Sequence, residues 1–149
     1  MNPSDFYIIL AIGIVISLLI EEFVGVSTGG MIVPGVLASN LENLDILIYI
    51  FLLSFITYFL VDRVLSKHLI LYGKRKFTFM VLIAMLFKLM GDQIYPLLPF
   101  AAVSFRGVGV VCPALLANTY ARQGIKFTVP TAIISMFIVS ALMYFIYLI

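Results

Sequence analysis

Charge is scarce in this chain. Asp, Glu, Lys and Arg make up 11% of its 149 residues against 64% apolar, and the mean hydropathy is +1.21. Soluble globular domains carry about 25% charged and about 45–50% apolar residues, so an ordinary soluble domain is excluded. A short chain has a high ratio of surface to interior and cannot hide that many apolar side chains around one core; the surface left over has to meet lipid. The single cysteine, Cys112, excludes an internal disulfide, and the single histidine, His68, leaves no Cys/His set with metal-ligand spacing. A net charge of +2 is too mild for a nucleic-acid surface, and the basic residues gather in only one loop. No phosphate-binding loop is present either, because Tyr72-Gly73-Lys74 lacks the earlier glycine and the following hydroxyl. His68 has no partner in view for acid–base work, and Cys112, just before Pro113 in an apolar run, reads as a packing residue. Neither a catalytic set, nor a metal site, nor a cofactor is expected in this chain.

What is present is apolar length. Four segments, 6–23, 46–61, 77–94 and 127–149, have the polarity of membrane helices, which need about 20 residues, within a range of about 17–25, to cross the hydrocarbon. The first begins Asn2-Pro3-Ser4-Asp5 and ends in Glu21-Glu22. It lacks the basic start and small-residue cleavage site of a secretory signal and is expected to be retained. Pro130 falls in the expected first turn of the fourth span, where a missing N–H is tolerated.

Two further apolar stretches are broken. Residues 24–41 carry Gly25, Gly29, Gly30, Pro34 and Gly35, and residues 95–121 carry Pro96, Pro99, Gly107, Gly109 and Pro113. Such density weakens a continuous helix, and lipid tolerates broken backbone only where protein or an aqueous cavity surrounds it. Each stretch is a candidate re-entrant or short helical segment, the alternative being an interfacial loop. Aligning Pro34 with Pro113 superposes Gly30-Met31-Ile32-Val33-Pro34-Gly35-Val36-Leu37-Ala38 on Gly109-Val110-Val111-Cys112-Pro113-Ala114-Leu115-Leu116-Ala117 with four identities. The expectation is therefore an all-α integral membrane protein forming a single membrane domain over 1–149. It would have about four transmembrane helices plus two broken segments, in a weak internal two-fold repeat of halves near 6–62 and 77–149 joined by the basic loop 63–76. Duplicated Gly/Pro breaks point to a transport-type site at the repeat interface.

Five of the nine Lys/Arg lie between the second and third spans, at Arg63, Lys67, Lys74, Arg75 and Lys76, so this loop is expected to be cytoplasmic. If the broken segments only dip into the membrane, both termini are cytoplasmic. If each crosses, the halves are inverted, both termini lie outside, and Arg122 and Lys126 join the cytoplasmic side. Lys88 sits inside the third span one turn before Asp92, where an ion pair lowers the cost of burial; it serves function, or it snorkels and neutralises Asp92. Arg106, followed by Gly107-Val108-Gly109, offers a guanidinium beside open backbone donors for a carboxylate. Glu21 and Glu22 are candidate partners for Arg106 or interfacial anchors.

Val33-Pro34-Gly35, Leu65-Ser66-Lys67, Tyr72-Gly73-Lys74-Arg75-Lys76-Phe77, Phe105-Arg106-Gly107-Val108-Gly109, Leu116-Ala117-Asn118 and Gln123-Gly124 occur in that order. The pattern resembles the membrane subunit of poly-γ-glutamate synthase, the PgsC/CapC family, over essentially the whole chain. One departure is Cys112-Pro113-Ala114, where the family tends to Val-Pro-Gly. The resemblance implies a non-catalytic, multi-pass subunit of the bacterial cytoplasmic membrane, working in capsule or secreted polymer biosynthesis. Its implied partners are a cytoplasmic ATP-dependent amide ligase, which would hold the ATP and Mg²⁺, and an extracytoplasmic anchoring subunit. A growing polyglutamate bears one carboxylate per residue and needs cationic or N–H donors to cross lipid. Arg106, Gly107, Gly109, Lys88, Gly30, Pro34 and Pro113 are the expected polymer-path or anion-binding residues. Lys74, Arg75 and Lys76 are expected to dock the ligase, or simply to set topology and meet anionic lipid. A chain of this size is expected to act as a homo-oligomer or in a mixed complex. The alternative readings are a stand-alone transporter or channel for a small anion, and a scaffold that merely anchors the ligase.

Overall fold

The computed structural model describes residues 3–41, 43–68, 73–94 and 108–148, with side chains within 5–41, 43–67, 73–90 and 111–148. Among the described residues the chain is all-helical. α1 is Pro3–Val24, α2 is Val33–Ser39 and α3 is Leu44–Phe59, which continues through a π-helical stretch, Leu60–Leu65, into a last turn, Ser66–His68. The second half supplies α4 (Lys74–Ile94), α5 (Val108–Gln123) and α6 (Ile125–Leu148).

Three of these helices are long and apolar enough to cross a membrane: Asp5–Val24, Leu44–Leu65 and Ile125–Leu148. α4 has comparable length, at 21 residues, but it carries Lys74, Arg75, Lys76, Lys88 and Asp92, and those charges set it apart from the other three. Two boundaries differ from the sequence reading. Residues 108–123, expected as part of a broken stretch, form a continuous helix with Pro113 inside it. The last helix starts at Ile125, so Pro130 lies beyond the first turn. In both places the proline removes one helical N–H, and the missing bond leaves a carbonyl one turn earlier without breaking the rod.

α1 packs along α2 and α4 along α5, while α2 lies on α6 and α5 lies on α3. α1 also meets α6, α4 meets α3, and α2 touches α5 at the centre. The main core draws Val36 and Leu37 of α2, Ile50 of α3, Leu116 of α5 and Ala132 of α6 into one cluster. Two satellites flank it: Ile9, Ile16, Val139 and Met143 on one side, and Val61, Met80 and Ala117 on the other. Large apolar side chains such as Val15, Phe55, Phe137 and Phe145 point outward and are exposed, the inverse of a soluble bundle and suited to lipid.

Short α2 is held in the interior because glycine lets it approach α1. A Cβ on Gly13 would sit 2.6 Å from both the N and Cα of Gly35, and one on Gly35 would sit 3.0 Å from Leu10 Cα. Small residues at such crossings are how helices pack closely without a hydrophobic drive between them. Gly13→Ala is therefore expected to cost about 1–3 kcal/mol through overpacking, read as a lowered unfolding transition of the purified protein in detergent. An unchanged transition would show that the backbones can separate freely.

Candidate functional site

Among the described residues, the segment between α1 and α2 is where backbone is least protected by helix, and it is tied down by side chains from both halves. Gly29 and Gly30 adopt φ of +99° and +112°, values at which a side chain is strained. A Cβ on Gly29 would meet Leu116 Cδ2 at 2.6 Å, and one on Gly30 would lie 3.6 Å from Leu115 Cβ, so the turn rests directly on α5. Ser17 and Thr28 share a buried hydroxyl–hydroxyl bond of 2.6 Å. Ser27 N–H donates to Gln123 Oε1 at 2.9 Å, and Gln123 Nε2 donates to the Ser27 carbonyl at 2.5 Å and to Thr128 Oγ1 at 3.0 Å. One amide at the α5–α6 corner thus substitutes for the hydrogen bonds that a helix would have supplied. Deeper in, Ser54 donates to Tyr120 Oη at 3.3 Å, and the Tyr120 ring meets Tyr58 edge-on at 6.1 Å.

Gly30 rests on Leu115, two residues past Pro113, and Val33 and Val36 on either side of Pro34 share a core cluster with Cys112. Pro34 opens α2 and is buried, and Pro113 is buried in α5. Val33, Val36, Leu37, Cys112 and Leu116 fill the space around them. Gly109 lies in the first turn of α5. Arg106 and Gly107 fall outside the described residues, and so does the pairing of Glu21 and Glu22 with Arg106. Glu21 and Glu22 themselves end α1 and are exposed. Lys88 is half-buried on α4, on the same face as the fully buried Met80 and Ala84; Asp92 follows one turn later, its side chain outside the described residues.

The basic residues form the second part of the site. Lys76 Nζ pairs with Asp62 Oδ1 at 2.5 Å, fastening the start of α4 to the π-helical end of α3. Lys74 and Arg75 are exposed. Arg122 and Asn118, one turn apart on α5, join Lys74, Lys76 and Phe77 around a recess of about 460 Å³. Neither Arg122 nor Asn118 was among the site residues expected from sequence, although their four-residue spacing puts them on one helix face. At the opposite end of the bundle the Tyr147 hydroxyl hydrogen-bonds Asp5, so α6 ends where α1 begins.

A helical bundle with three membrane-length apolar helices, a glycine-held broken segment at its centre and a basic rim at one end defines a membrane-protein class. The profile described as Capsule biosynthesis CapC matches residues 12–129. The Capsule biosynthesis protein CapC of Bacillus anthracis is 39% identical over 134 residues, 90% of each chain. The PGA biosynthesis protein CapC of Bacillus subtilis (strain 168) is 37% identical over 149 residues, all of both chains. This chain belongs to the CapC family. No solved structure matches it.

Replacing Gln123 by Leu is expected to remove about 1–3 kcal/mol, because the half-buried Ser27 N–H would lose its partner and the Ser27 carbonyl would keep only the long bond from Thr131 Oγ1 at 3.5 Å. Hydrogen exchange at 25–32 should rise with it; protection equal to wild type would show that the clasp is not what holds this turn.

Proposed function

We propose that this chain is a multi-pass subunit of a poly-γ-glutamate synthase and export complex in the bacterial cytoplasmic membrane, and that it is not catalytic alone. The observation that carries the reading is the end-to-end match to a PGA biosynthesis protein. In the complex, a partner ligase holding ATP and Mg²⁺ phosphorylates the γ-carboxylate of a glutamate to an acyl phosphate, releasing ADP. The amine of the next glutamate then displaces phosphate to form the amide. This chain supplies the membrane passage for the anionic product, together with an extracytoplasmic anchoring subunit and further copies of itself.

The packing supports a fourth span and a repeat of inverted halves, near 6–62 and 77–149. Exchanging α1, α2, α3 for α4, α5, α6 turns the contact of α2 with α6 into that of α5 with α3, and the contact of α1 with α6 into that of α4 with α3. Burial follows the same exchange. Ile46, Ile50, Leu53, Ser54, Thr57 and Val61 on α3 have the spacing of Thr128, Ala132, Ser135, Met136, Val139 and Met143 on α6, and all twelve are buried. The satellite joining Ile9, Met143 and Ala38 answers to the one joining Met80, Val61 and Ala117. Burial and partner choice thus agree with the same exchange, which supports the repeat beyond the sequence match.

The same geometry favours one of the two topologies left open by sequence. Asp62 with Lys76, and Lys74 with Arg122, bring the end of α3, the start of α4 and the end of α5 to one end of the bundle. Arg63, Lys67, Arg75 and Lys126 adjoin them, so seven of the nine Lys/Arg gather there. The positive-inside rule makes that end cytoplasmic and puts both termini outside. In a Cys112→Ala background, Lys67→Cys is expected to react with an impermeant maleimide only after permeabilisation, and Leu148→Cys in intact cells. The reverse pattern overturns this orientation.

The direct test of function is ATP-dependent incorporation of labelled glutamate by membranes holding the ligase, with and without this chain. Polymer should form only with it; equal synthesis in both removes the chain from the polymerising step. Arg106→Ala is expected to abolish surface polymer while the complex still assembles, and wild-type polymer in that variant would remove Arg106 from the path. A stand-alone anion transporter would instead act in pure liposomes without ligase or ATP.

A further inference from the structure

We infer that the recess between α4 and α5 binds the carboxylates of a γ-glutamyl chain as it reaches the membrane, an assignment that rests on the reading of this chain as a polymer-synthase subunit. Three features of the recess lead there. First, its cations are not equivalent. Lys76 is committed to Asp62 at 2.5 Å, whereas Lys74 and Arg122 have no ion-pair partner among the described residues and both are exposed. Two positive side chains from different helices thus face one opening, and Asn118, a turn before Arg122, adds an amide donor. The guanidinium fork suits a planar carboxylate, which can take two parallel hydrogen bonds from it.

Second, the wall is not polar throughout. Phe77 and Ala121 line the same space. A γ-glutamyl chain alternates a carboxylate with a pair of methylenes along its backbone, so a lining that alternates cation and apolar surface matches its repeat. Third, the size is right for a segment of chain. About 460 Å³ lies within the range of about 300–1,000 Å³ typical of small-ligand clefts. Gly73, at φ +57° and also on the rim, turns the chain into α4 so that Lys74 faces the opening. The recess lies at the end of the bundle that gathers seven of the nine Lys/Arg, the side on which a cytoplasmic ligase would deliver its product. Lys74 then meets the polymer rather than the ligase, while Arg75, outside the recess, remains available for docking.

The test uses the full-length protein in phosphatidylcholine nanodiscs, titrated with a short fluorescent oligo-γ-glutamate. Arg122→Gln is expected to weaken binding about tenfold, the loss typical of a hydrogen-bonded charge, and Arg122→Lys should restore part of it. Lys126→Gln removes the same charge at the same end but outside the recess, and should change affinity by less than about twofold. Equal losses in Arg122→Gln and Lys126→Gln would mean diffuse attraction and overturn the site. So would an absence of binding by the wild type, or binding of phosphatidylglycerol that needs Arg122 when oligo-γ-glutamate does not. Glutamate incorporation that requires the chain, together with a titration indifferent to Arg122, would remove the recess and leave the subunit reading standing. Incorporation indifferent to the chain would remove the subunit reading itself.

Discussion

The contact between Gly13 and Gly35 is the one on which the rest of this bundle depends. A seven-residue helix preceded by a glycine-rich turn cannot satisfy its own backbone, since every helix leaves several N–H and C=O groups without internal partners. In lipid such a segment survives only inside protein. With hydrogen atoms where two side chains would be, α1 closes over α2 and buries residues 33–37. Gln123 and the Ser17–Thr28 pair then take up polar groups of the turn that α2 cannot. Once α2 is inside, it becomes the surface against which α5 and α6 pack, so contacts between the halves follow from contacts within one.

α4 and α5 pack through larger residues, with Met80 against Ala117. Ala84 and Ala114 are fully buried on α4 and α5. The longer α5 needs less shelter than α2, because 16 residues satisfy most of their own hydrogen bonds where seven do not.

Charge is distributed across the bundle in a way that links architecture to chemistry. Most cations gather at one end, and one of them, Lys76, is neutralised by Asp62 and serves to fasten α3 to α4. Two others, Lys74 and Arg122, border an opening and have no ion-pair partner among the described residues. On the proposed orientation, the end that anchors the protein by the positive-inside rule is also the end that meets a polyanion. One set of residues would then carry both topology and recognition.

Much of this was legible in the chain before folding. Composition alone required lipid, and the uncharged runs located the three membrane-length helices to within a few residues, because length and polarity are local properties. The family pattern was legible for the same reason, carried by short motifs around Tyr72–Phe77 and Phe105–Gly109. Gly/Pro density marked where helix would weaken, but Pro113 lies inside a continuous helix at 108–123, since whether a proline breaks a helix depends on what packs around it. The site was less legible. That Gln123 would clasp Ser27, that Arg122 would stand beside Lys74, and that Gly35 would touch Gly13 are meetings between residues far apart in sequence. No local pattern encodes such meetings. They exist only because burying α2 forces the two halves to close around each other, and it is that closure, decided by the tertiary structure, which turns scattered polar residues into a site.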